Sequence, residues 1–202
     1  MDNNQIGLFD KNSKSSPLAH QMRPQTLEDF EGAPKLLAKY PQLSGEHLTS
    51  MIFWGPPGCG KTTIAKLLAG KLNLPFISFN AVLGGLPELR KAIEKGNQET
   101  NWILFIDEIH RFNKAQQDAL LPFVESGEFT LMGATTENPF VSVNKALLSR
   151  LQTIELKKLS PYNILNILQK TADKLQKDVA LNILKSFSQY SDGDTRKALG
   201  YL

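Results

Sequence analysis

The eight residues Gly55-Pro56-Pro57-Gly58-Cys59-Gly60-Lys61-Thr62 constrain this chain more than any other stretch. An apolar run, Met51-Ile52-Phe53-Trp54, precedes them, and Thr63-Ile64-Ala65-Lys66-Leu67-Leu68 follows with helical spacing. The order is strand, glycine-rich loop, helix, the context that separates a P-loop from a chance cluster of glycines. Glycines let backbone N–H groups turn inward around a phosphate, where a side chain would block the approach. The helix that opens at the loop's end points its positive dipole end at the same anion. Lys61 then reaches the β- and γ-phosphates, and the Thr62 hydroxyl offers a ligand to Mg²⁺. A bare turn between strand and helix needs none of these types in this order, and here every specified position is filled. Gly55 through Thr63 are therefore expected to hold a nucleoside triphosphate, with ATP and Mg²⁺ as the cofactors.

At 202 residues, 41% of them hydrophobic and 21% charged, the chain is long enough for one globular α/β domain plus a small appendage. The net charge of +3 is too mild to argue for nucleic acid by itself. Cys59 is the only cysteine, which excludes an internal disulfide and a cysteine-rich metal site. No apolar run approaches a membrane span and the N-terminus is not signal-like, so a cytoplasmic protein with no membrane partner is expected.

Along the chain, residues 1–16 are polar apart from Ile6-Gly7-Leu8-Phe9 and are expected to form a disordered tail. Thr26 is placed to cap a short helical turn, and 34–40 reads as helical. After the strand at Met51–Trp54, further strands are expected at Phe76–Phe79, Trp102–Ile106, Phe129–Ala134 and, shorter, Leu151–Leu156. Helices are expected after the P-loop, over Pro87–Lys95, and over Lys114–Glu125, where Pro122 should end or kink the last. Strands alternating with helices predict a five-stranded parallel sheet flanked by helices. From Ser160 onward the pattern is helical only: Ser160-Pro161 caps one helix, 179–190 makes a second, and a third begins at Thr195 after the Asp192-Gly193-Asp194 turn. The expected division is an α/β nucleotide-binding domain over 17–158 and a small helical lid over 159–202.

The next informative feature is Asp107-Glu108, at the end of a continuously apolar run. Sites in open α/β sheets lie beyond the carboxyl ends of the strands, which aims both acids at the nucleotide. Asp107 would hold the metal and Glu108 would polarise the water that attacks the γ-phosphate. A pair of acids capping the next helix is the competing reading, and the P-loop upstream favours the catalytic one. Cys59 occupies a free position of the loop and is read as inert filler. His110 is read as a supporting or packing residue, and Trp54 and Trp102 as core or cleft-wall aromatics.

The stretch from Ile103 to Leu121 is similar to the Walker B region of AAA+ ATPases and, more narrowly, resembles the replication-associated recombination protein A family. Gly133-Ala134-Thr135-Thr136-Glu137-Asn138-Pro139, Ala146–Arg150, Met22-Arg23-Pro24 and Gly193-Asp194-Thr195-Arg196 carry the same likeness. It covers the chain from about residue 17 to its end. The resemblance implies an AAA+ P-loop fold whose lid is incomplete here, with an ATPase activity that depends on a homo-oligomer. It further implies Thr136 as sensor 1, helped by Asn138, and Arg150 as an arginine finger acting on a neighbour's nucleotide. Arg196 would be sensor 2, and Arg23 and Pro24 would lie near the adenine. Without the family, Arg150 would read as a helix-ending cation and Arg196 as a solvated charge.

By the same resemblance the partner is DNA, single-stranded or at ends and forks, in replication-fork maintenance, recombination and repair. Replication proteins such as single-strand-binding protein are further candidates, and the location is nucleoid-associated. Where relatives carry a Gly-Gln pair this chain has Glu31-Gly32-Ala33-Pro34, which leaves the adenine contacts open. The chain also stops within the lid, as a fragment, truncated gene or shortened variant would. Competing readings are an ATP-binding scaffold or regulatory subunit with little turnover, and a clamp-loader-type or Holliday-junction-motor subunit.

Overall fold

A computed structural model describes residues 17–202. The tail over 1–16, with its apolar patch, lies outside the described residues. Five strands, β1 (Met51–Trp54), β2 (Phe76–Asn80), β3 (Ile103–Asp107), β4 (Thr130–Thr135) and β5 (Gln152–Glu155), form one sheet in the order β2-β3-β4-β1-β5. Every pairing is parallel, and β1 lies between β4 and β5, with Trp54 opposite both Thr135 and Glu155. All carboxyl ends therefore share one edge, and the P-loop leaves the sheet from near its middle.

Helices cover both faces. In chain order they are α1 (Leu18–Gln21), α2 (Ala33–Lys39), α3 (Lys61–Lys71), α4 (Leu86–Gly96), α5 (Lys114–Asp118), α6 (Leu121–Ser126), α7 (Pro139–Ser142) and α8 (Lys145–Leu148). Alternation along β3 shows why its run is apolar throughout. Ile103 and Phe105 join a core with Phe53, Met132 and the α3 residues Ile64 and Leu68. Leu104 and Ile106 join the opposite core with Ile52, Leu131 and the α4 residues Leu89 and Ile93. Trp102 lies just outside β3, fully buried, its ring 4.7 Å from that of Phe129.

The helical stretch expected over Lys114–Glu125, with an end or kink at Pro122, is two helices, α5 and α6, with Pro122 in the first turn of the second. A proline ring clashes with the carbonyl four residues earlier, and that residue, Asp118, is where α5 stops. Thr26 closes a turn by accepting the Asp29 N–H at 3.3 Å, but no helix follows. The remaining helices, α9 (Pro161–Lys174), α10 (Leu181–Tyr190) and α11 (Thr195–Gly200), form a layer with its own core of Ile164, Leu168, Leu184, Ala198 and Leu199. The Ser160 hydroxyl caps α9 from the Asn163 N–H, 3.2 Å away. Although α1 precedes the sheet in sequence, Leu18, Ala19 and Met22 pack on this helical core.

Candidate nucleotide site

Between the sheet's carboxyl edge and the helical layer lies a cleft of about 590 Å³. The P-loop from Pro57 to Thr63 forms its floor, and Asp107, Glu108, Thr136, Arg23 and Arg196 also line it. Lys61 opens α3 and is 8% exposed. Its ammonium donates to the carbonyls of Gly55 at 2.8 Å and Pro56 at 3.0 Å, which holds a buried charge against the loop. Gly60, at φ 98, is the residue from which α3 starts, and a Cβ there would strike the Phe30 ring. Gly58, at φ 69, leaves room for the Asp194 side chain, so the loop's glycines admit protein neighbours as well as an anion. Burial pushes the Cys59 thiol up, against the pull of the Lys61 charge, as filler rather than a nucleophile would be.

Consecutive strand residues face opposite ways, yet Asp107 and Glu108 both line the cleft. Glu108 makes this happen by adopting a left-handed backbone, φ 55 and ψ 44, immediately after β3. Such a conformation costs a non-glycine residue about 1–3 kcal/mol and gathers at functional sites. Thr136, one residue past β4, donates from its hydroxyl to Glu108 Oε2 at 3.5 Å.

One expected site residue is placed differently. Asn138 does not line the cleft; its side chain accepts the Phe140 N–H at 3.0 Å and caps α7, which occupies the oxygen that a nucleotide contact would need. Arg150 also lies outside this chain's own cleft. It ion-pairs with Glu125 and donates to the Ala146 carbonyl at 2.7 Å. Arg23 does line the cleft, but its electrostatic neighbours are Arg196 and Asp107. Burial and the Arg196 charge lower its pKa, against the opposing pull of Asp107. Pro24 lines the cleft as well.

Sequence reasoning passed over Phe30, which packs on Gly60, and the contact of Glu31, which accepts from the Asn163 side chain at 2.6 Å and so ties the N-terminal segment to α9. It also passed over what His110 touches: Nδ1 is 2.9 Å from Thr135 Oγ1 and 3.2 Å from Glu108 Oε2. No signal in one sequence joins residues 25 apart in this way. Met22, Ile167 and Leu199 add apolar lining to the cleft, surface that suits a base rather than phosphates.

A buried lysine on a glycine-rich loop, facing two acids beyond parallel strands, is the arrangement of a P-loop ATPase. The family model described as "ATPase family associated with various cellular activities (AAA)" matches residues 51–159. The chain belongs to the AAA family. The AAA chain is 44% identical over 201 residues to "Replication-associated recombination protein A" of Escherichia coli, a match that covers 92% of this chain and 45% of that protein. The Haemophilus influenzae protein of the same name is 41% identical, with the same coverage. "ATPase WRNIP1" of Dictyostelium discoideum is 41% identical over 95% of this chain and 24% of its own length. The chain thus spans less than half the length of these curated relatives. Among solved structures it is similar to the Thermotoga maritima RuvB Holliday junction branch migration motor, with a TM-score of 0.76 and 28% identity, covering 89% of this chain and 63% of that one.

Proposed function

We propose that this AAA chain binds ATP with Mg²⁺ and hydrolyses it, and that the energy is used on DNA at ends, gaps or stalled forks. The observation that carries the ATPase reading is the convergence of Lys61, Asp107, Glu108, Thr136 and Arg196 on one cleft. The donor set suits the metal: the Thr62 hydroxyl and the Asp107 carboxylate are hard oxygen ligands lining the same cleft. Two protein ligands leave the remaining positions to water and phosphate oxygens, the usual arrangement for Mg²⁺. When bound, the metal neutralises charge on the β- and γ-phosphates.

The chain's own residues supply the rest. P-loop N–H groups from Gly58 to Thr63 and the Lys61 ammonium hold the polyphosphate, Glu108 takes a proton from the attacking water, and Thr136 orients that water beside Glu108. Arg23 and Arg196 contribute positive charge from the opposite wall. The division into a nucleotide-binding body over 17–158 and a lid over 159–202 belongs to the same reading, as does a cytosolic, nucleoid-associated location. Among the described residues no helix is long and apolar enough to cross a membrane.

The DNA part rests on the relatives named for replication-associated recombination and on RuvB's printed role as a branch migration motor. Binding would be largely electrostatic and would weaken with salt. The clamp-loader and junction-motor readings share the same catalytic residues and differ in the DNA they act on. The low-turnover scaffold reading has one observation in its favour: Arg150 is outside its own cleft, so a single chain lacks a finger.

The test is Glu108→Gln beside Lys61→Ala. The first is expected to bind ATP with wild-type affinity while turnover falls about 10²-fold or more, the share of a positioned base. The second is expected to lose ATP binding by calorimetric titration. Wild-type turnover in Glu108→Gln, or wild-type affinity in Lys61→Ala, contradicts the assignment.

A further inference from the structure

The left-handed break at Glu108 leads into a single 3-10 turn over Ile109–Arg111, closed by the Arg111 N–H to the Glu108 carbonyl at 2.8 Å. That turn returns the chain so that His110, two residues on, lies against the Glu108 side chain. The imidazole is almost wholly buried, its side chain 4% exposed, with Nδ1 2.9 Å from Thr135 Oγ1 and 3.2 Å from Glu108 Oε2.

Glu108 Oε2, 3.2 Å from Nδ1, can only accept, which favours a hydrogen on Nδ1. Thr135 Oγ1 already accepts the Glu137 N–H at 3.0 Å, and its own hydrogen has an acceptor in the Glu137 carbonyl at 3.5 Å. In the tautomer with the hydrogen on Nδ1, which the accept-only Glu108 carboxylate favours, Nδ1–H is shared between Thr135 Oγ1 and Glu108 Oε2. Nε2 lies 3.6 Å from Glu137 Oε1, beyond hydrogen-bond reach. The Thr136 hydroxyl meets Glu108 at Oε2 as well. Both contacts thus fall on one carboxylate oxygen, and Oε1 accepts no hydrogen bond from the described residues.

We propose that His110 is a positioning residue for the general base. Its Nδ1–H holds Glu108 Oε2, which leaves Oε1 to accept the proton of the attacking water, and it ties the carboxylate to Thr135 and to the loop that opens α7. The proposal rests on Glu108 being the base. A ring that served only to fill space would need its bulk alone. This one is buried with a hydroxyl and a carboxylate against Nδ1, and a buried polar group set in that way uses its hydrogen bonds.

The test uses the full chain with two substitutions. His110→Phe keeps an aromatic ring and removes the donor, whereas His110→Asn returns an amide N–H near the place of Nδ1. The expected result is an unchanged KM for ATP in both. kcat should fall roughly tenfold or more in the Phe variant, part of the about 10²–10⁴-fold that a positioned base supplies. Most of that rate should return in the Asn variant. In a Glu108→Gln background His110→Phe should cost nothing further.

Wild-type or higher kcat in the Phe variant, or no recovery in the Asn variant, overturns the proposal. A readout independent of turnover is the ring ¹⁵N spectrum of the three histidines. The His110 Nδ1 resonance should report a bound proton and move on Glu108→Gln while those of His20 and His47 stay in place; an unmoved Nδ1 resonance overturns it. Full turnover in Glu108→Gln removes the reading of Glu108 itself. A dead Glu108→Gln beside a fully active His110→Phe removes only the role given to the histidine.

Discussion

At Gly60 two demands meet on one residue. Its φ of 98 starts α3 at the loop, and the Phe30 ring stands where a Cβ would be. Gly60→Ala is expected to destabilise by about 1–3 kcal/mol through backbone strain alone. For a chain of this size that lowers the thermal midpoint by several degrees, at about 2–4 °C per kcal/mol. ATP affinity should fall with it, because Lys61 is the next residue. Scanning calorimetry with a parallel titration checks both, and an unshifted midpoint would contradict the crowding. The neighbouring Cys59 invites a second measurement. Burial holds its thiol protonated to a higher pH than a free cysteine, so alkylation at pH 8 should be slow in the native chain and fast in denaturant. Equal rates followed by mass spectrometry would mean that the thiol is open.

Among the elements, α9 carries one face of the cleft, and its start depends on one hydroxyl. Removing the Ser160 cap should cost about 1 kcal/mol, the usual loss for such a replacement. Ser160→Ala should therefore lower the denaturation midpoint without changing the slope, and an unchanged midpoint would mean that Pro161 alone fixes the helix start. The five strands and α9 were legible in the sequence because each is long enough to show its period or a cap. Pro122 announced a break whose position only the Asp118 carbonyl settles. The four-residue helices α1, α7 and α8 were not legible, since a single turn has no period to read. The P-loop was legible because its residues are adjacent. The contact of His110 with Thr135 was not, because β4 must first be laid beside β3 to make it. Asn138 misled for a related reason: an asparagine before a proline signals a cap as readily as a ligand, and here it is a cap.

For the whole molecule, the position of Arg150 sets the expectation. It is exposed and held by Glu125 away from its own cleft, so a guanidinium there reaches a nucleotide only on another copy. Turnover per chain should therefore rise steeply with protein concentration. Arg150→Ala should lower the rate by about a thousandfold if it acts as a finger in trans. Mixing Arg150→Ala with Glu108→Gln should restore activity, because one copy gives the finger and the other keeps an intact base. A rate independent of concentration, with no recovery on mixing, would assign Arg150 to its pairing with Glu125.

The attachment of α1 to the helical layer has a mechanical result. Arg23 follows α1 directly and Arg196 belongs to α11, and these two helices pack against each other. The two guanidiniums are thus teeth on one jaw: whatever moves the helical layer carries both together, and nucleotide release should proceed as one stroke rather than two successive loosenings.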